Sequence, residues 1–255
     1  MYNDLFSIGP FTVHTYGLMI ALGIIAAYAL AERRAKKKGL DSEKTIDLVI
    51  WCVIFGFAGS KVLYWITILP QIIKNPRIMI DSFGEGWVIY GGILGGILGA
   101  YLFCRKNKLD TWKYFDLAMP SVALAQAIGR LGCFFAGCCY GIETKSKFGI
   151  TFSHSDFAPN GVNLVPTELL SSAFDFLLFL ALLGVDRKKK ADGQVTAAYL
   201  IIYSIGRFII EFYRGDLIRG TVGSLSTSQF ISIFILIAGV IMFVVRGKKK
   251  DATSL

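Results

Sequence analysis

Residues 129–141 read GRLGCFFAGCCYG, and Arg130 within that run stands at the end of an apolar stretch that begins near Tyr114. An arginine at membrane depth costs roughly 2.5–3.5 kcal/mol on insertion scales, so it persists where an anion or a watery cavity meets it. The glycines around it remove side-chain bulk and let a ligand or another helix reach the backbone. The chemistry expected here is anion handling inside a membrane protein.

A second constellation is Tyr203, Arg207, Glu211 and Arg214, whose steps of four, four and three place all of them on one helical face. Arg207 and Glu211 can neutralise each other as an i, i+4 pair while Arg214 reaches outward. The same stripe, joined to Arg130, would line a polar cavity with residual positive charge. A guanidinium fork matches phosphate oxygens two at a time, so phosphate is the anion that suits it. Tyr90-Gly91-Gly92 opens a run with Gly-x-x-x-Gly spacing at 91/95/99 and 92/96, which serves close helix packing or the approach of a lipid head group to the backbone. His14 and Tyr16 stand at the entrance of the first apolar run as interfacial anchors or head-group ligands. Lys61 would snorkel or complete an anion pocket, and Glu168 reads as an acid near a helix N-terminus. Cys133, Cys138 and Cys139 match neither a disulfide framework nor a paired C-x-x-C zinc pattern, so no metal and no cofactor are expected. Cys52 and Cys104 read as small packing residues.

The elements that must hold these groups are transmembrane. Of 255 residues, 54% are hydrophobic and mean hydropathy is +0.57. Runs of about 18–22 apolar residues, each enough to cross a ~30 Å hydrocarbon core as a helix, recur at 14–32, 45–67, 87–104, 114–136, 168–185, 194–213 and 227–246. The expected fold is therefore an all-α integral membrane protein of seven transmembrane helices, forming one polytopic domain over residues 1–255. The alternating short segments of a β-barrel are missing from the pattern. The first span lacks a basic leader and is expected to stay as an anchor.

Cations cluster at Arg33–Lys38, Arg105–Lys108, Arg187–Lys190 and Arg246–Lys250, after the first, third, fifth and seventh spans. The other connections carry only a few, among them Lys74, Arg77, Lys145, Lys147 and Arg219. The positive-inside rule then places the N-terminus outside and the C-terminus in the cytoplasm. The net charge of +9 sits at span ends, where it sets orientation and meets anionic lipids, which argues against nucleic acid as a partner.

With these residues assembled, the chain resembles the prolipoprotein diacylglyceryl transferases nearly from end to end. The run 129–141 resembles the family's long Gly-Arg-x-Gly…Gly hallmark, His14-x-Tyr16-Gly17-Leu18 its entrance motif, and Tyr90-Gly91-Gly92 its Gly-Gly segment. Tyr203, Arg207 and Glu211 resemble its late polar helix. The resemblance implies a multi-pass enzyme of the bacterial cytoplasmic (inner) membrane. It would transfer the diacylglyceryl group of phosphatidylglycerol to the lipobox cysteine of prolipoproteins, releasing glycerol 1-phosphate.

On that likeness Arg130 holds the lipid phosphate, and Arg207, oriented by Glu211, assists the leaving group. Tyr16 and Tyr203 position the head group, with His14, Gly91, Gly92 and Arg214 as further substrate contacts. Tyr90 stands where the family's best-known form has histidine, while Cys133 and Cys138 replace its asparagine and glutamate. Tyr90, His14 and Glu211 are the alternatives for the base. Two other readings remain: a related membrane transferase with a different acceptor for the same anionic lipid, and a non-enzymatic lipid or anion transporter.

Overall fold

The computed structural model describes residues 4–8, 11–84, 86–216 and 220–251; Arg219 lies outside them. Its architecture is helical. The order is β1 (Asp4–Ile8), β2 (Phe11–His14), α1 (Thr15–Lys37), α2 (Glu43–Thr67), α3 (Leu69–Lys74), α4 (Ile78–Asp81), α5 (Ile89–Lys106) and α6 (Thr111–Ala136). There follow β3 (Ile150–Thr151), β4 (Asn163–Leu164), α7 (Thr167–Lys188), α8 (Gln194–Glu211), β5 (Thr221–Val222), β6 (Leu225–Ser226) and α9 (Thr227–Asp251). Among the described residues the strands form three antiparallel hairpins, β1–β2, β3–β4 and β5–β6.

Among the described residues five helices, α1, α2, α6, α7 and α9, are long and apolar enough to cross a membrane by length and composition. Helices α5 and α8 are 18 residues each and carry polar ends, Arg105-Lys106 in one and Gln194 and Glu211 in the other. Large apolar side chains point away from the protein in quantity: Ile54, Phe57, Leu94, Leu177 and Ile241 all exceed half exposure. Such a surface suits lipid, because water would penalise a contiguous apolar patch of that size.

The chain forms two compact units, residues 31–115 and residues 1–30 with 116–255. In the first, the expected glycine seam is real. A Cβ built on Gly91, Gly95 or Gly99 would come under 3.0 Å from the α2 backbone at Gly59, Phe55 and Trp51 respectively. Only hydrogen at those positions lets the two helices approach so closely. Lys61 is buried on α2, where it donates to the Ser82 carbonyl and sits 4.9 Å from the Tyr64 ring centroid and 5.0 Å from that of Trp87.

In the second unit, Leu178 and Leu182 of α7 meet Val195, Ala198 and Tyr199 of α8 and Ala123 of α6. Helix α6 bears on its polar side a hub that the sequence reading passed over. Asp116 is fully buried and accepts from Lys189 Nζ at 2.9 Å, Gly193 N at 2.8 Å, Thr196 N at 2.9 Å and Thr196 Oγ1 at 2.8 Å. A buried carboxylate survives when its lone pairs are filled, and here both oxygens hold two donors. The hub ties α6 to the turn between α7 and α8. Burial works against the Lys189 charge, but its hydrogen bonds to Asp192 and Asp116 outweigh that and raise its pKa above the usual value.

Candidate functional site

The site is built where α6 ends. Gly137 (φ 72°) turns the chain, with its N–H bonded to Phe134 O and the Cys138 N–H to Cys133 O, the pattern that closes a helix with a left-handed residue. Cys139 also adopts a left-handed φ of 68°, which few non-glycine residues do. The following backbone is stitched on both sides. Gly141 N donates to Val165 O, Ile142 N to Tyr213 O, Gly215 N to Tyr140 O, and Thr167 Oγ1 to Cys139 O at 2.8 Å. A Cβ on Gly141 would meet Val165 O and Tyr213 O under 3.0 Å, so glycine is needed there for three segments to meet. The stitching brings the end of α6 against the start of α7 and the segment after α8.

The cationic residues come together as a result. Arg130 interacts electrostatically with Tyr203, Cys133, Cys139 and Asp175. Arg207 does so with Glu211, Arg214, Arg130 and Tyr203. Arg207 Nη2 lies 2.6 Å from Glu211 Oε2 and donates to Ser228 Oγ at 3.0 Å. Glu211 also faces Arg214 Nε at 3.8 Å and accepts from Ser226 Oγ at 2.9 Å through its other oxygen. Arg214 is buried and forks onto Asp216, with Nε at 2.8 Å and Nη2 at 2.6 Å. Three guanidiniums thus share surroundings in which Glu211 and Asp216 are already engaged.

The other expected residues fall as follows. Tyr203 stacks on Tyr199 at 5.4 Å, in the same surroundings as both arginines. Tyr16 is half-exposed at the start of α1 and interacts with Cys133, Cys138, Cys139 and Arg130. Gly132 provides room for this approach, since a Cβ there would come 3.0 Å from Met19 and 3.3 Å from Tyr16 O. His14 is exposed at the end of β2. Tyr90, Gly91 and Gly92 belong to the 31–115 unit, and the face of Gly91 kept open for a head group is filled by α2. Lys61 lies in that unit too, its charge taken by the Ser82 carbonyl and aromatic rings.

Two acids that the sequence did not place in the site lie beside it. Asp175 is buried in α7 and interacts with both Arg130 and Arg207; a lone acid in the run FDFLLF was the available signal, because an ionisable residue at that depth marks a site by default. Glu168 makes no side-chain cap; both its oxygens are buried without a hydrogen-bond partner, close to its own N–H and within electrostatic reach of Cys139 and Arg214. The sulfurs of Cys133, Cys138 and Cys139 lie within 4.8 Å of one another. Hydrogen bonds from Cys133 and Cys138, then the Arg214 and Arg130 charges, hold the Cys139 thiol below its usual range, while Cys138 is pushed up by its bonds to the other two.

A family model described as prolipoprotein diacylglyceryl transferase matches residues 3–245. A phosphatidylglycerol–prolipoprotein diacylglyceryl transferase of Clostridium tetani is 49% identical over 94% of this chain and 95% of its own length. The second such enzyme of Clostridium perfringens is 48% identical over 93% and 94%, and that of Finegoldia magna 38% identical over 93% and 92%. This chain belongs to the prolipoprotein diacylglyceryl transferase family.

Proposed function

We propose that this member of the family transfers the diacylglyceryl group of phosphatidylglycerol to the lipobox cysteine thiol of prolipoproteins and releases glycerol 1-phosphate. The observation that supports the chemistry is that Arg207 lies within electrostatic reach of Arg130, Arg214 and Tyr203, and Arg130 within reach of Tyr203 as well. The acceptor thiolate forms a bond to the glyceryl carbon, the carbon–oxygen bond to the phosphate breaks, and its electron pair leaves with the phosphate. Charge therefore grows on phosphate oxygens, and preorganised guanidiniums in a low-dielectric site stabilise it. Arg130 holds the phosphate. Arg207, oriented by Glu211, meets the departing group, Tyr16 and Tyr203 orient the head group, and Arg214 and His14 complete its surroundings. Tyr90, His14 and Glu211 remain the alternatives for the base.

The same reading takes the chain as one polytopic domain in the bacterial cytoplasmic membrane. Seven helices span it: the five long apolar ones with α5 and α8. The N-terminus is outside and the basic connections face the cytoplasm. Partners are phosphatidylglycerol, the lipobox segment and membrane lipids.

The test is incubation of purified protein with labelled phosphatidylglycerol and a lipobox peptide. Thioether-linked lipid on the peptide and released glycerol phosphate are expected. Arg130→Ala should abolish both, and full turnover by that variant would overturn the site. Tyr90→Phe reads the base: retained turnover removes the tyrosine from that role. Glycerol phosphate without modified peptide would favour a different acceptor, and lipid flux without products a transporter.

A further inference from the structure

We propose that Cys133, Cys138 and Cys139 form a three-thiolate site for one thiophilic metal ion, Zn2+ as the test case, whose open fourth position takes the acceptor thiol. The role for the acceptor rests on the transferase reading above; the metal site itself stands without it. The three sulfurs lie within 4.8 Å of one another. Zinc–sulfur bonds of ~2.3 Å in a tetrahedron set sulfurs about 3.8 Å apart, so the trio closes onto an ion by shifts of about 1 Å.

The backbone is bent to produce this grouping. Cys133 lies on the last turns of α6, and the left-handed Gly137 and Cys139 fold the chain back over that end. A non-glycine residue in this conformation costs on the order of 1–3 kcal/mol and is retained where its surroundings impose it, commonly at functional sites. Here the Cys139 carbonyl is held by Thr167 Oγ1 at 2.8 Å. Arg130 and Arg214 supply positive charge beside Cys139, which suits a cluster of anionic sulfurs. Glu168 adds a second, independent sign: a carboxylate 1% exposed, with both oxygens lacking hydrogen bonds, within electrostatic reach of Cys139.

Three protein ligands leave one position open, the arrangement of catalytic rather than structural zinc. A thiol bound there loses its proton, since metal coordination ionises a thiol outright. The step balances without redox chemistry. The acceptor S–H releases its proton to water as the sulfur binds the ion. That sulfur then forms the bond to the glyceryl carbon as the carbon–oxygen bond breaks, and the phosphate leaves with the electron pair. The thioether is a weak ligand and departs, reopening the position.

The test uses the reduced full-length protein, depleted of metal, in detergent. Wild type should take up one Zn2+ per chain, the triple Cys→Ser variant none, and Cys52→Ser, outside the cluster, as much as wild type. Co2+ loaded into wild type should show sulfur-to-metal charge transfer that Zn2+ abolishes. The band should strengthen on adding the lipobox peptide but not its serine analogue. This readout needs no variant to fold.

At pH 7 an ordinary thiol of pKa ~8.5 is about 3% ionised. Metal removal should therefore slow transfer at most about thirtyfold, and roughly fivefold after allowing for the lower nucleophilicity of a more acidic thiol. The slowed rate should climb with pH while that of loaded enzyme stays flat. Zn2+ uptake equal in the triple variant, or a disulfide among the three cysteines in place of metal, overturns the site. A cobalt band indifferent to the peptide, or full pH-independent transfer by metal-depleted enzyme, overturns its role and leaves the transferase reading intact. Zn2+ uptake as expected with no thioether product under any condition overturns the transferase reading and leaves the metal site standing.

Discussion

Glu211→Gln keeps the shape of the side chain and removes its charge. Arg207 Nη2 is 2.6 Å from Glu211 Oε2, with side-chain exposures of 12% and 8%, so the pair is largely withdrawn from solvent. Removing one partner of such a pair costs about 3–5 kcal/mol, because the surviving charge keeps only weaker compensation. Arg207 then keeps a hydrogen bond to Ser228 Oγ, a neutral acceptor, and the more distant Asp175, while Arg214 and Arg130 add repulsion. The variant should unfold in detergent at a clearly lower temperature than wild type. Phosphatidylglycerol should then stabilise it more than it stabilises wild type, since its phosphate, with no ammonium of its own to offset it, supplies the missing anion and binding to the folded state raises its stability. A zwitterionic lipid should not do so.

The sign of the double mutant is the sharper part. Arg207→Ala on the Glu211→Gln background removes the stranded charge, so the double variant should be more stable than Glu211→Gln alone. Thermal unfolding followed by intrinsic fluorescence, with and without each lipid, reads all of this. Wild-type stability of Glu211→Gln, equal rescue by both lipids, or additive losses in the double mutant would refute the reasoning.

Asp116→Asn should destabilise by about 3–5 kcal/mol despite its shape, because its carboxylate accepts from Lys189, Gly193 and Thr196 and an amide nitrogen would face two of these donors; chemical denaturation in mixed micelles checks it. Since Lys189 has a raised pKa in the folded state, its stabilisation is complete below the unfolded value near 10.5 and is lost as pH rises through the higher folded value. Unfolding temperature should accordingly fall more steeply above pH 10.5 in wild type than in Lys189→Met. Gly141→Ala should cost about 1–3 kcal/mol or more from overpacking against Val165 O and Tyr213 O, whereas Gly129→Ala, with nothing within 4 Å, should fold at least as stably as wild type. Gly95→Ala should loosen the α2–α5 seam by a similar amount, seen as faster proteolysis within 31–115.

Helix positions were legible because hydropathy needs no partner. The run 168–185 became Thr167–Lys188 and 45–67 became Glu43–Thr67. Ends drifted where helices run on into charge, as α1 does to Lys37, since hydropathy marks the apolar slab while backbone hydrogen bonds continue beyond it. The face shared by Arg207, Glu211 and Arg214 was also readable, since i, i+4 spacing is a local geometric fact. Glu168 does stand in the first turn of α7, as its position beside Pro166 indicated, but its burial was not legible, because that end of the helix is packed by a loop more than 20 residues upstream.

The amino-acid order alone determined that this is a helical membrane protein and which helical face carries charge. Tertiary structure alone decided that Asp175 joins Arg130 and Arg207, that the Gly91 face is spent on α2, and that three cysteines converge. The reason is physical. Spacing within one helix sets which side chains share a face, but which faces meet depends on backbone contacts and loop hydrogen bonds between segments far apart in the chain.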